Sequence, residues 1–133
     1  MRYTGISASY AVDDVPRALA FYRDILGLDV GLVPLGIEGA DVPQGMEVRL
    51  PDGHRFVVYP SLHYRPAEFT VLSLKTPDIE SAVDELIAKG VVFEQYDVPR
   101  TDAKGIHRDP RVKPVAWFRD PAGNIIGLHQ DSD

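Results

Sequence analysis

With 133 residues, 14.7 kDa and 44% hydrophobic residues, the chain has the length of one domain and enough apolar side chains to bury a core. A net charge of −6 and a pI near 5.1 argue against nucleic acid as a partner, because phosphate binding rests on concentrated Lys and Arg. The absence of Cys removes disulfides, thiolate nucleophiles and thiolate metal sites together, and no apolar run approaches the ~20 residues that span a membrane.

The start, MRYTGISASY, has no long apolar stretch of a signal peptide, so a cytoplasmic location with no membrane partner is expected. From Thr4 to Val12 small and apolar residues alternate without a charge, which predicts a strand. Asp13 or Asp14 then caps a helix with Pro16 in its first turn, where a missing N–H costs nothing. Val15, Ala18, Leu19, Tyr22, Ile25 and Leu26 recur at helical spacing, and Gly27 ends the run. Strand character follows over Leu28 to Leu35, Met46 to Leu50 and Arg55 to Tyr59, with a loop from Gly36 to Gly45.

After a link over residues 62–67 the same grammar returns. A strand is predicted over Phe69 to Leu74, and Pro77 and Asp78 open a helix whose stripe is Ile79, Ala82, Val83, Leu86 and Ile87, closed by Gly90. Strands are then expected over Val91 to Val98, Val112 to Phe118 and Asn124 to Gln130. Between them the stretch Pro99 to Pro114 reads as a long basic loop, and loops beyond about 12 to 15 residues in a compact domain are often functional. Such an internal repeat predicts an α+β fold of two tandem βαβββ modules within a single domain spanning 1–133. Module one covers about 1–61 and module two about 68–133.

The paired modules, the VDDVPRALAFYRDILGL helix and the WFRDPAGNIIGLHQ ending resemble the vicinal oxygen chelate superfamily. That superfamily includes glyoxalase I, extradiol dioxygenases, fosfomycin resistance enzymes and bleomycin resistance proteins. The resemblance implies a curved mixed sheet forming a cup, with helices on its outer face. In the enzymes a divalent metal sits in the cup, held by His, Gln or Glu on the first and last strand of each module. Carried over one at a time, those positions fall on Ser7 and Val71 for the first strands and on Val57 and Gly127 for the last. A divalent ion wants several O or N donors at about 2.0 to 2.6 Å, and one hydroxyl is a poor set. A slip of one residue brings in Ile6 or Ala8, Thr70 or Leu72, Phe56 or Val58, and Ile126 or Leu128, none of them a competent ligand. No metal and no cofactor is therefore expected.

What remains is a binding surface. His129 lies two residues beyond Gly127, so on a regular strand it points to the same side. Ser7, Ser9, Val57, Phe69, Val71, Trp117, Gly127 and His129 are the candidate cup residues, and His107, Arg108 and Arg111 in the basic stretch are candidates for a lid favouring anionic ligands. Glu47 and Arg49 share one face of their strand, while His54 lies in a turn and His63 in the link. The expected function is metal-independent binding or sequestration of a small organic molecule, similar to the bleomycin resistance branch, by what the resemblance implies is a homodimer. The alternative is a metal-dependent lyase, isomerase or dioxygenase using displaced ligands such as His129, Glu47 or His54.

Overall fold

The computed structural model describes residues 1–36 and 44–131, so most of the loop expected over Gly36 to Gly45 lies outside the described residues. The chain folds as two compact units, Met1–Arg65 and Pro66–Asp133. In the first, β1 (Ser9–Val12) leads to α1 (Val15–Ala20), which continues as a π-helical turn (Phe21–Ile25) before β2 (Asp29–Pro34), β3 (Gln44–Arg49) and β4 (Arg55–Pro60). The sheet order is β1-β4-β3-β2, with β1 parallel to β4 and the other pairs antiparallel. Asp14, rather than Asp13, is the cap: its carboxylate accepts the Arg17 backbone N–H at 2.9 Å, while Asp13 pairs with the Arg17 guanidinium at 2.7 Å. Gly27 ends the helical segment at φ +71°, a conformation that costs other residues more.

The face of this sheet that packs on α1 buries Tyr10, Val12, Met46, Val48 and Val58, together with Val15, Ala18 and Tyr22 from the helical segment. Two phenols in this core would be costly without partners. The Tyr10 hydroxyl answers that by donating to the Tyr22 hydroxyl at 2.7 Å.

The second unit repeats the plan with β5 (Thr70–Thr76), α2 (Ile79–Ala88), β6 (Ile106–Asp109), β7 (Val112–Arg119) and β8 (Ile125–Gln130), in the order β5-β8-β7-β6. Asp78 caps α2 through the Ser81 backbone N–H at 3.2 Å and the Ser81 hydroxyl at 2.8 Å, and the Gln130 side chain accepts the Ile79 N–H at 2.9 Å. Ile79, Val83 and Leu86 of α2 are buried, as are Phe93, Ala116, Phe118, Ile126 and Leu128. Phe93 meets Phe118 edge to face, centroids 5.4 Å apart. The α+β class and the two βαβββ modules are thus what the structure shows.

Two element boundaries are corrected. The first strand begins at Ser9, not Thr4, and residues 1–8 are exposed; β1 finds partners on β4 only from Ser9, paired with Val57. A small, charge-free pattern without a neighbouring strand supplies neither burial nor cross-strand hydrogen bonds. In the second module, Val91 to Val98 carries isolated bridges alone, Phe93 with Phe118 and Asp97 with Arg100. The strand is instead drawn from the stretch read as loop, where Ile106 is buried and pairs with Ala116 of β7.

Candidate functional site

Each sheet has a second face, away from its helix, and the two faces differ in chemistry. On the first module the strand registers align Ser9, Val57, Glu47 and Gly31 in one row across β1, β4, β3 and β2. The adjacent row is Arg55, Arg49 and Asp29. Glu47 accepts from Arg55 at 3.1 Å and from Arg49 at 3.4 Å, and Arg49 reaches Asp29 at 2.9 Å. The guanidinium of Arg49 lies over Gly31, where a Cβ would stand 3.2 Å from it. The Arg49 hydrogen bond holds the Asp29 carboxyl below the usual carboxylate range. Ser7, outside the strand, donates its hydroxyl to the Arg55 carbonyl at 3.2 Å. The four charged groups Asp29, Glu47, Arg49 and Arg55 are thus committed to each other.

The second module is built differently. Ser73, Gly127 and Trp117 form one row across β5, β8 and β7, and Lys75, His129, Val115 and His107 form the next across all four strands. Trp117, Gly127, His129 and His107 therefore share a face. Around Trp117 stand Tyr96, edge-on with centroids 5.5 Å apart, and His107 at 6.3 Å. Burial, the largest cause, pushes the Tyr96 phenol up. His107 Nδ1 lies 2.7 Å from the Arg100 carbonyl, an acceptor only, so this nitrogen carries the proton and a neutral ring leaves Nε2 free to accept. Ser73, Lys75 and His129 have no side-chain hydrogen bond or ion pair among the described residues.

Val71 is not the β5 residue that reaches Gly127. The β5–β8 register shifts between Thr70 and Leu72, and it is Thr70 and Ser73 that approach Gly127. Phe69, just before β5, is exposed. Counting along the strands does not reach Ser73, Lys75 or Tyr96, and it reaches Thr70 only as a slip of one residue. The period-two alternation of Ser73 and Lys75 with Leu72 and Leu74 was the available signal for two of them.

The basic stretch is largely neutralised by its own surroundings. Arg108 pairs with Glu80 of α2 and with Asp102 at 3.5 Å, Lys104 with Glu80 at 3.2 Å and Asp84 at 2.8 Å, and Arg111 with Asp109 at 2.7 Å. The Arg111 side chain lowers the Asp109 carboxyl to about 2. Two hollows lie here: one of about 360 Å³ lined by Arg100, Thr101, Asp102 and β6, and one of about 510 Å³ running along Arg108 to Pro114. Both follow β6 and its turn into β7, and neither is lined by Gly127 or Trp117.

The four positions carried over from the superfamily's metal site offer no donor set for a divalent ion. Among the described residues no three His, Cys, Asp or Glu side chains are grouped to hold one. Ser7 faces a backbone carbonyl, Val57 and Gly127 offer no donor, and Val71 lies in the register shift. Of the displaced candidates, Glu47 is held by two arginines and exposed His54 pairs with Asp52 at 2.9 Å.

Among curated proteins none matches the chain. A member of the glyoxalase/bleomycin resistance protein/dioxygenase superfamily from Sphaerobacter thermophilus is similar at TM-score 0.72 and 24% identity, covering 98% of each chain. TnmS3, an antibiotic binding protein from a Streptomyces species, is similar at TM-score 0.69 and 25% identity, covering 99% of each. A mutant of FosX, a genomically encoded fosfomycin resistance protein from Listeria monocytogenes complexed with Mn(II) and 1S,2S-dihydroxypropylphosphonic acid, shares the fold at TM-score 0.66 and 14% identity, covering 98% of this chain and 95% of that one. The family model for the Glyoxalase/Bleomycin resistance protein/Dioxygenase superfamily matches residues 6–128. With nearly the whole sequence under that model and both modules built as βαβββ units, the chain belongs to the glyoxalase/bleomycin resistance protein/dioxygenase superfamily.

Proposed function

We propose that the protein binds a small organic molecule without a metal ion, on the open face of the second module around Trp117, Gly127 and His129. The observation that carries this reading is the row Ser73, Gly127 and Trp117. Where the superfamily's enzymes place a metal-binding carboxylate, this chain has a glycine, flanked by an aromatic ring and by polar groups that have no side-chain partner among the described residues. Ligand sites combine mostly apolar and aromatic surface with a few placed polar groups, and this face has that composition. The similarity to an antibiotic binding protein supports the same reading. The lid role of the basic stretch becomes one of positioning: Arg108 and Lys104 hold the segment that carries His107 against α2. A homodimer in the cytoplasm completes the proposal.

The test is metal analysis of protein purified without a His tag, alongside binding of aromatic compounds followed by Trp117 fluorescence. Metal well below one equivalent, with saturable quenching, is expected. Stoichiometric Zn, Ni, Mn or Fe would overturn the proposal.

A further inference from the structure

Gly127 is buried although it has no side chain, because its neighbours close over it. A Cβ built there would stand 3.2 Å from His129 Nε2, 3.3 Å from the Thr70 methyl carbon and 3.4 Å from Ser73 Oγ. The imidazole and the hydroxyl thus converge on one point from two strands, and a side chain at 127 would force them apart. Gly31 of the first module also admits a side chain over its strand, but that side chain, Arg49, is already bound to Asp29 and Glu47. Ser73 and His129 have no such partner among the described residues. Lys75, directly across from His129, is exposed and makes no ion pair among them.

We infer that Ser73 and His129 form a two-point anchor for a ring-borne hydroxyl of an aromatic ligand whose ring lies against Trp117. This rests on the binding reading above and names the ligand group and the residues that select it. The chemistry follows from the two anchor atoms. A hydroxyl can accept from the Ser73 O–H and, in the His129 tautomer whose Nε2 carries no proton, donate to that nitrogen, whereas an ether or a carbonyl can only accept. Lys75, in register with His129 on the neighbouring strand, adds a positive charge to this face, which favours an acidic phenol over an aliphatic alcohol. The Thr70 methyl supplies an apolar edge, and Trp117 the stacking surface.

Trp117 is the only tryptophan, so its indole N–H gives a single resonance in a nitrogen-correlated spectrum of the full chain. The probes are 2-naphthol and 2-methoxynaphthalene, the same ring with its hydroxyl capped. The naphthol is expected to shift the Trp117 signal saturably and to bind at least about tenfold more tightly than the ether, the scale of one hydrogen bond lost at a partly desolvated site. His129→Leu brings the naphthol to the affinity of the ether, and Ser73→Ala, which removes an exposed hydroxyl, weakens both probes. Gly127→Ala, by separating the two anchor atoms, acts in the same direction. Equal affinities for the two probes, with Ser73→Ala silent, overturn the anchor while leaving the binding face in place. No shift of Trp117 with either probe overturns the anchor and the binding face together.

Discussion

Phe118 and Phe69 are both aromatic residues of the second module, but their surroundings assign them opposite fates. Phe118 is fully buried against the α2 side of the sheet and meets Phe93 edge to face, whereas Phe69 is 69% exposed. Phe118→Ala removes a ring from a close-packed core and leaves a cavity that the strands cannot fill, at a cost of about 4 kcal/mol. Phe118→Leu keeps most of the volume and costs about 1.5 kcal/mol, chiefly in the lost aromatic contact. Phe69→Ala stays within about 0.5 kcal/mol, the range of surface substitutions. In urea unfolding followed by Trp117 emission, an m-value of about 2 kcal/mol/M turns the first change into a midpoint lower by about 2 M. The two milder variants shift by under about 1 M on the same basis. A Phe118→Ala protein within about 1 kcal/mol of the parent, or a Phe69→Ala protein losing more than about 2, would refute the assignment of the helix-side core and the open face.

Further expectations address charge and caps. Asp109 is held at about 2 by Arg111, first through the side-chain hydrogen bond and then through the Arg111 backbone N–H. A lowered folded-state pKa stabilises above the unfolded carboxylate value and is lost as pH falls towards about 2, so this contribution disappears between about pH 4 and 2. Arg111→Ala moves the Asp109 carboxyl carbon titration upward by NMR, and an unmoved curve contradicts the pairing. Arg108→Ala severs the tie to Glu80 and Asp102; being half-exposed, it costs under about 1 kcal/mol, yet amide exchange across residues 100–108 accelerates. Unchanged exchange there would show that the segment is held by something else. Asp78→Ala removes the α2 cap and lowers stability by about 1 kcal/mol in thermal unfolding, while Asp13→Ala, outside the cap, loses less.

The sequence by itself determined the class, the duplication and the helices, because those rest on local chemistry. An aspartate cap at 13 or 14, Asp78 as the second cap, the apolar stripes, and Gly27 and Gly90 as helix ends are readable without knowing what packs on them. The same local reading puts Gly127 and His129 on one side of their strand, since a well-anchored turn and a period of two place them there, while the row that adds Trp117 of β7 is set by strand register. Only the tertiary structure decided the rest. Strand status at Ile106–Asp109 and its absence over Val91–Val98 depend on which segment finds β7 as a partner. The register shift at Thr70–Leu72 that brings Ser73 rather than Val71 to Gly127 is a property of paired strands, and no count along one of them contains it. Likewise the acidic side chains of α2, distant in sequence, take up Lys104 and Arg108, a pairing that no charge run along the sequence contains. Side-chain alternation belongs to one strand, but register, burial and charge pairing arise between segments.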